Sequence, residues 1–333
     1  MRVPFETMRA EFERVLLSRG FTAARAVLCA RLFAETSLDG VYTHGLDRFP
    51  RFVEYLGKGY VDAAAEPVRE LALGALERWD GRLGPGNLNA HAMTGRACAL
   101  AAEHGVGCVA LRNTNHWMRG GSYGWQAAEL GCAAICFTNT TPNLPPWGGD
   151  EPLLGNNPFV MALPRPGGHV VVDMAMSQFS YGKMERLAAR GEALPVEGGY
   201  DRQGRLTRDP AAILESRRAL PIGYWKGSAL ATILDLAACL LSGGDATRDI
   251  GEREAEYGLS QVFIAIDCSR FPVGSASPLR TMERAIDALR AARPVPGAEG
   301  IFYPGERSLR TRAENLARGI PVDEAAWTAL RSL

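Results

Sequence analysis

His44 and Arg48 are the first residues in this sequence that could do chemistry together. They lie in Gly40-Val41-Tyr42-Thr43-His44-Gly45-Leu46-Asp47-Arg48, between two amphipathic stretches, so the segment reads as a helix–turn–helix junction. An imidazole can move a proton near neutral pH. A guanidinium can hold a carboxylate through two parallel hydrogen bonds. If Thr43 caps a helix that starts here, His44 and Arg48 stand one turn apart on one face. That pairing suits an enzyme acting on a small anionic substrate. The plainer reading is a capped junction, with Arg48 paired to Asp47 or solvated.

A second constellation runs from Arg112 to Trp125, through Asn113, Asn115, His116, Trp117 and Arg119 to the glycines 120, 121 and 124. It directly follows an apolar strand, Gly107 to Leu111. Loops at the carboxyl ends of α/β strands are the usual ligand sites. Gly120-Gly121-Ser122-Tyr123-Gly124 also fits the G-x-S-x-G nucleophile elbow of serine hydrolases. Ten residues separate Ser122 from the strand, however, and His169 is the only histidine after it. A hydrolase on Ser122 is therefore the remote alternative. A third stretch, Val172 to Lys183, leaves a strand at Asp173. Its backbone amides and serine hydroxyls could take phosphate oxygens. Trp225 and Lys226 precede a helix whose N-terminus favours anions, and Gly305-Glu306-Arg307 makes a further turn. No G-x-G-x-x-G or G-x-x-x-x-G-K-[ST] occurs, so a nucleotide would need a cradle of another architecture. The five histidines are scattered, without metal-ligand spacing.

These residues need elements to position them. Helical spacing marks Phe5 to Ser18, Thr22 to Leu38 with Thr22 as cap, and Phe49 to Leu56. Val68 to Leu73 and Leu76 to Trp79 alternate like a hairpin around Gly74. Asn89 can cap an Ala-rich helix from Ala90 to Glu103. Strands follow at Gly107 to Leu111, Cys132 to Phe137, Phe159 to Leu163, Val170 to Asp173 and Val262 to Ile266. Helices are expected near Trp125 to Leu130, at Gly227 to Leu241, Pro278 to Ala292 and Ser308 to Arg318, and after Asp323. The alternation predicts an α/β core with a sheet covered on both faces. Two units are expected. Residues 1–66 form a helical region packed with the C-terminal helices of 306–333, and residues 67–305 form the α/β region. Three short helices bury little alone, so stripes such as Phe12, Leu16, Leu32 and Phe33 call for a partner surface, expected to be a second copy.

Composition narrows the classes. Of 333 residues, 47% are hydrophobic and 22% charged, with Lys+Arg and Asp+Glu both 37, so the net charge is zero. Neither nucleic acid nor an anionic membrane is expected as partner. Seven cysteines without a C-x-x-C read as reduced, buried thiols. The N-terminus has no apolar h-region. The most apolar helix, Ala229 to Leu241, carries Asp235 and looks too short to span a bilayer. A cytoplasmic location is the expectation.

Five motifs occur together and in order: Thr43-His44-Gly45 with Arg48; Asn113 with Asn115-His116-Trp117; Gly155-Asn156-Asn157-Pro158; Val172-Asp173-Met174-Ala175-Met176-Ser177; and Trp225-Lys226-Gly227. Over essentially the whole chain they resemble the type-2 malate/L-lactate dehydrogenase family, with Thr43 standing where serine is usual. The resemblance implies a non-Rossmann mixed α/β sheet with a helical N-terminal region, L-sulfolactate dehydrogenase-like. It also implies a homodimer that reduces a small 2-oxo acid with NADH, NADPH being the other option. Malate-, lactate- and ureidoglycolate-type substrates fall within the same class. By similarity His44 donates the proton, while Arg48, His116 and Asn139 bind substrate. Val172, Asp173, Met174, Ala175, Met176, Ser177, Gln178, Trp225, Lys226, Gly305, Glu306 and Arg307 would hold the cofactor, with no metal.

Overall fold

The computed structural model describes residues 1–271 and 278–333. The two chain ends share one core. Strand β1 (Arg2–Val3) leads into helices α1 (Phe5–Ser18) and α2 (Ala23–Leu38); a short 3-10 turn at Tyr42–His44 then precedes α3 (Phe49–Gly57). The helical spacing of Met8, Phe12, Val15 and Leu16 puts all four on the buried face of α1. Phe12, Phe33 and Phe49 meet with ring centroids 4.4 to 5.8 Å apart. The expectation that these stripes face a second copy is corrected here. Phe12, Leu16, Leu32, Phe33, Phe49 and Phe52 are buried against one another and against Trp327 and Leu330 near the C-terminus.

The middle of the chain runs β2 (Val68–Leu73), β3 (Leu76–Asp80), α4 (Gly86–His104), β4 (Val106–Thr114), α5 (Gly121–Glu129), β5 (Cys132–Thr138), β6 (Phe159–Leu163) and β7 (Val170–Met174). Then come α6 (Tyr181–Ala189), β8 (Gly199–Tyr200), β9 (Leu206–Thr207), α7 (Pro210–Ser216), α8 (Trp225–Ser242), α9 (Thr247–Gly251) and β10 (Leu259–Asp267). The chain closes with α10 (Pro278–Ala291), α11 (Glu306–Arg318), β11 (Ile320–Pro321), which pairs with β1, and α12 (Glu324–Arg331).

Seven strands form a mixed sheet in the order β2-β3-β4-β10-β5-β6-β7, with β3 and β4 parallel and the other neighbours antiparallel. Both faces are covered, and the two-residue side-chain period shows it. Val109, Leu111, Phe263 and Ala265 face the side of Ala97, Tyr123 and Ala127 from α4 and α5. Ala110 and Val262 face Ala231, Leu234 and Ala238 of α8.

Several local expectations change. Asn89 does not cap α4, which begins at Gly86; its buried amide donates to Gly81 O and to Thr114 Oγ1. Thr22 stands at the start of α2 without a side-chain cap bond. The polar stretch after Ser177 holds two helices, α6 and α7, that hydrophobic spacing did not mark. Helix α8 starts at Trp225 and runs 18 residues, long and apolar enough by length and composition to cross a bilayer. Its inner face instead packs on the sheet, and its buried Asp235 accepts from Asn139 and from Thr247 N. Its outer face is left apolar at Ile233, Leu236 and Leu240, the last 76% exposed.

Candidate active site

His44 closes the 3-10 turn, and Gly45 makes that turn possible. A Cβ on Gly45 would stand 2.1 Å from Ser37 Oγ, so only glycine lets the turn lie against α2. Thr43 is not the cap of the next helix, which starts at Phe49. Its hydroxyl instead meets His44 Nδ1 at 2.9 Å and fixes the ring. The expectation that His44 and Arg48 share a helical face is therefore corrected: His44 lies in the 3-10 turn and Arg48 just before the next helix. Arg48 precedes α3 and reaches sideways to Glu256, Nη2 to Oε1 at 3.3 Å.

His116 arrives from the loop after β4. The backbone N–H of Met118 donates to its Nδ1 at 3.0 Å, so the ring proton sits on Nε2 and His116 is a donor there. Positive φ at Asn113 and Met118 turns the loop back on itself. The buried Asn115 amide pins it to Tyr60, Leu83 and Gly84 carbonyls at 2.7 to 3.1 Å. The imidazoles of His44 and His116 then lie stacked, 5.8 Å between centroids. An ion-paired ladder holds the two loops together. The Asp39 carboxylate, at the end of α2, accepts from Arg119 of the His116 loop and from Arg312 Nη1 of α11, the latter at 2.8 Å.

These side chains open on a cavity of about 1450 Å³ lined by His44, Arg48, His116, Arg119, Asp173 and Glu256, among others. Burial, with the charges of Arg48 and Arg119, lowers the His44 pKa to about 4. Burial, with Arg48, His44 and Arg51, holds His116 well below the usual imidazole range. Both rings are thus neutral in the resting site at pH 7. Burial also lowers the Arg48 pKa from its ordinary value, opposed by Glu256. The arrangement offers one fixed N–H donor, one imidazole able to take up a proton, and a guanidinium with donors left over for an anion.

The end of β7 supplies a second wall. Val172, Asp173, Met174 and Ala175 line the cavity, and Asp173 Oδ2 accepts from Gly121 N at 2.7 Å. Gly305, with φ +96°, lines it too; a Cβ there would meet Trp125 and Val171 N at 3.2 Å. The starts of α6 and α11 reach the cavity through Ser180, Gly182 and Ser308. Helix N-termini suit phosphate oxygens, so a dinucleotide fits the chemistry of this wall.

Other expected residues stand elsewhere. Asn139 does not line the cavity, a correction to its expected role. Its fully buried amide donates to Asp235 Oδ1 and Asp245 O and accepts from Ser260 N, all within 3.1 Å. Met176 and Ser177 are buried behind the cavity wall, and Gln178 donates its backbone N–H to Leu220 O. Glu306 pairs with Arg290 at 2.7 Å, and Arg307 lies over the Phe302 ring. Trp225 and Lys226 are exposed and outside the cavity lining. Ser122 sits in the first turn of α5 and lines a separate cavity of about 320 Å³. Among the described residues its hydroxyl meets no imidazole. No group of three metal-ligating side chains occurs among the described residues.

Sequence reasoning missed Glu256 and the Asp39–Arg119–Arg312 ladder. Arg48, Arg51 and Tyr55 all line the cavity, and their spacing could have marked that face of α3. Nothing in the acidic run Glu252 to Glu256 singles out its last member.

The family comparison covers the chain almost end to end, matching malate/L-lactate dehydrogenase over residues 3–331. The chain belongs to the malate/L-lactate dehydrogenase family. This makes it an oxidoreductase acting on keto and hydroxyl groups. It is 46% identical over 334 residues to the 2,3-diketo-L-gulonate reductase of Escherichia coli O81 (strain ED1a), covering all of both chains. It is 45% identical, again over all of both chains, to the enzyme of the same name from Citrobacter koseri. Among solved structures, sulfolactate dehydrogenase from Methanocaldococcus jannaschii aligns with TM-score 0.90 and 27% identity, over 100% of this chain and 96% of that one. Malate dehydrogenase from Entamoeba histolytica shares the fold at TM-score 0.93 and 24% identity, with the same coverage. The mixed sheet with its helical end region is thus a malate/L-lactate dehydrogenase fold, as the resemblance implied.

Proposed function

We propose that this protein reduces the 2-keto group of 2,3-diketo-L-gulonate to give 3-dehydro-L-gulonate, with NADH as reductant. The observation that carries this reading is the stacked His44–His116 pair beside Arg48 in one cavity. The full-length similarity to reductases of that name supports the substrate.

NADH, when bound, supplies the hydride. Val172 to Ala175 and Gly305, which line one wall of the cavity, would hold it, and the starts of α6 and α11 would supply backbone N–H groups suited to phosphate oxygens. Arg48 takes the substrate carboxylate with the donors that Glu256 leaves free. His116 donates from Nε2 to the keto oxygen, where negative charge grows. His44 delivers the proton that turns the alkoxide into a hydroxyl. The substrate's own charge helps His44 do so. A carboxylate on Arg48 offsets one of the cations that keep His44 neutral, so binding favours its protonation.

A homodimer belongs to this reading, supported by the exposed Ile233, Leu236 and Leu240 of α8 rather than by the N-terminal stripes. Sedimentation velocity reads it directly. The test of function is a panel of 2-oxo acids assayed with NADH and with NADPH. 2,3-Diketo-L-gulonate with NADH should give the highest kcat/KM. A preference for pyruvate or oxaloacetate would assign a lactate- or malate-type activity instead.

A further inference from the structure

Glu256 lies beside Arg48 in the cavity wall, and it is the wrong charge for an anion site. Its side chain is 14% exposed and lines the cavity. Oε1 accepts from Arg48 Nη2 at 3.3 Å and Oε2 from Thr141 N at 3.3 Å. Both contacts are longer than the usual 2.7–3.2 Å of an N–H···O bond. A carboxylate has about four lone-pair sites, so two long contacts leave it able to accept more. Arg48 could bind a carboxylate without this neighbour, and its charge weakens that binding. Glu256 is therefore poorly explained as a support for Arg48 alone.

We propose that Glu256 is a specificity-determining residue. It accepts hydrogen bonds from hydroxyls on the substrate chain and repels a second carboxylate placed there. The inference rests on the keto-acid reductase reading above and names what separates substrates within it. A hydroxyl bonded to a carboxylate gains more than one bonded to a neutral acceptor, a difference on the order of tenfold in affinity. A dicarboxylic 2-oxo acid would instead bring its far carboxylate toward the part-buried charge of Glu256. A plain chain such as that of 2-oxobutyrate has nothing to gain or lose at this point.

The experiment compares Glu256→Gln with wild type on 2,3-diketo-L-gulonate, oxaloacetate and 2-oxobutyrate with NADH. Each kcat/KM is divided by that for 2-oxobutyrate, which removes any general effect on Arg48. In the variant the diketogulonate ratio should fall about tenfold and the oxaloacetate ratio should rise about tenfold or more. Glu256→Asp keeps the charge, so its oxaloacetate ratio should stay near the wild-type value. Equal losses on all three substrates would mean that Glu256 only supports Arg48, and would overturn the proposal. So would ratios unchanged within twofold in an active variant. Inactivity of the wild type toward every 2-oxo acid would overturn the reductase reading itself, and this proposal with it.

Discussion

Protonating His44 in the resting site is difficult, and the pH dependence of catalysis should show it. Burial in the cavity wall, reinforced by the charges of Arg48 and Arg119, lowers the His44 pKa from 6.5 to about 4. At about 1.36 kcal/mol per pH unit, that difference is about 3.4 kcal/mol against the charged form. At pH 7 roughly one molecule in a thousand would carry the proton, against about one in four for an unperturbed imidazole. The reductive kcat/KM reports the free enzyme. It should therefore climb close to tenfold for each pH unit from 8 down to 5, without levelling at 6.5. Turnover at saturating substrate should level off at a higher pH, because the bound carboxylate offsets Arg48. The oxidative reaction needs neutral His44 and should be flat across the same range. Initial rates at constant ionic strength, in both directions, give the profiles. A reductive kcat/KM that reaches a plateau below pH 6.5 would refute the electrostatic argument. The same depression has a stability consequence of definite sign. Between about pH 4 and 6.5 the unfolded chain binds a proton at His44 that the folded chain does not, so stability falls as the pH drops through that window. His116 is shifted in the same direction and adds to the loss.

Two other perturbations test the frame around the site. Asp39→Asn removes the charge shared by Arg119 and Arg312, whose partner Asp39 is only 9% exposed. Leaving Arg119 buried and unpaired should cost about 3–5 kcal/mol, read as a lower denaturation midpoint at unchanged m-value. Arg48→Met should raise KM for 2-oxo acids about ten- to a hundredfold, with little change in KM for NADH. An unchanged KM across the panel would show that Arg48 serves Glu256 and not the substrate.

Much of the architecture could be read from the sequence because its cause is local. The apolar runs at Phe159–Leu163 and Val170–Met174 are flanked by turn residues and appear as strands with nearly the expected ends. β10 is longer than Val262 to Ile266 because Leu259 and Gln261 pair with β4, and Gln261 also with β5, on either side of an irregularity at Ser260, and side-chain polarity does not reveal such backbone pairing. α6 and α7 escaped notice because each buries only one or two side chains, Met184 in the first and Pro210 and Ile213 in the second. Within the site, His44, Arg48, His116 and Asp173 stood out as reactive types beside glycines and strand ends. Their mutual geometry did not. The Thr43 hydroxyl could equally have capped a helix; in the folded chain Gly45 lies close on α2, Gly182 packs against Thr43, and the hydroxyl meets the His44 ring. Asn139 shows the reverse case: a polar residue at a strand end whose partners, Asp235, Asp245 and Ser260, come from distant parts of the chain. Glu256 likewise meets Arg48 across 208 positions of sequence.

The central claim is that His44 delivers the proton in reduction of a 2-oxo acid. Its most direct test is the rate of NADH oxidation by Glu256-intact protein with 2,3-diketo-L-gulonate, wild type beside His44→Ala, with equal melting temperatures confirmed. The account predicts substrate-dependent oxidation by the wild type and a loss of on the order of a hundredfold to ten-thousandfold in kcat for the variant. A His44→Ala protein that keeps more than about a third of wild-type turnover would contradict it.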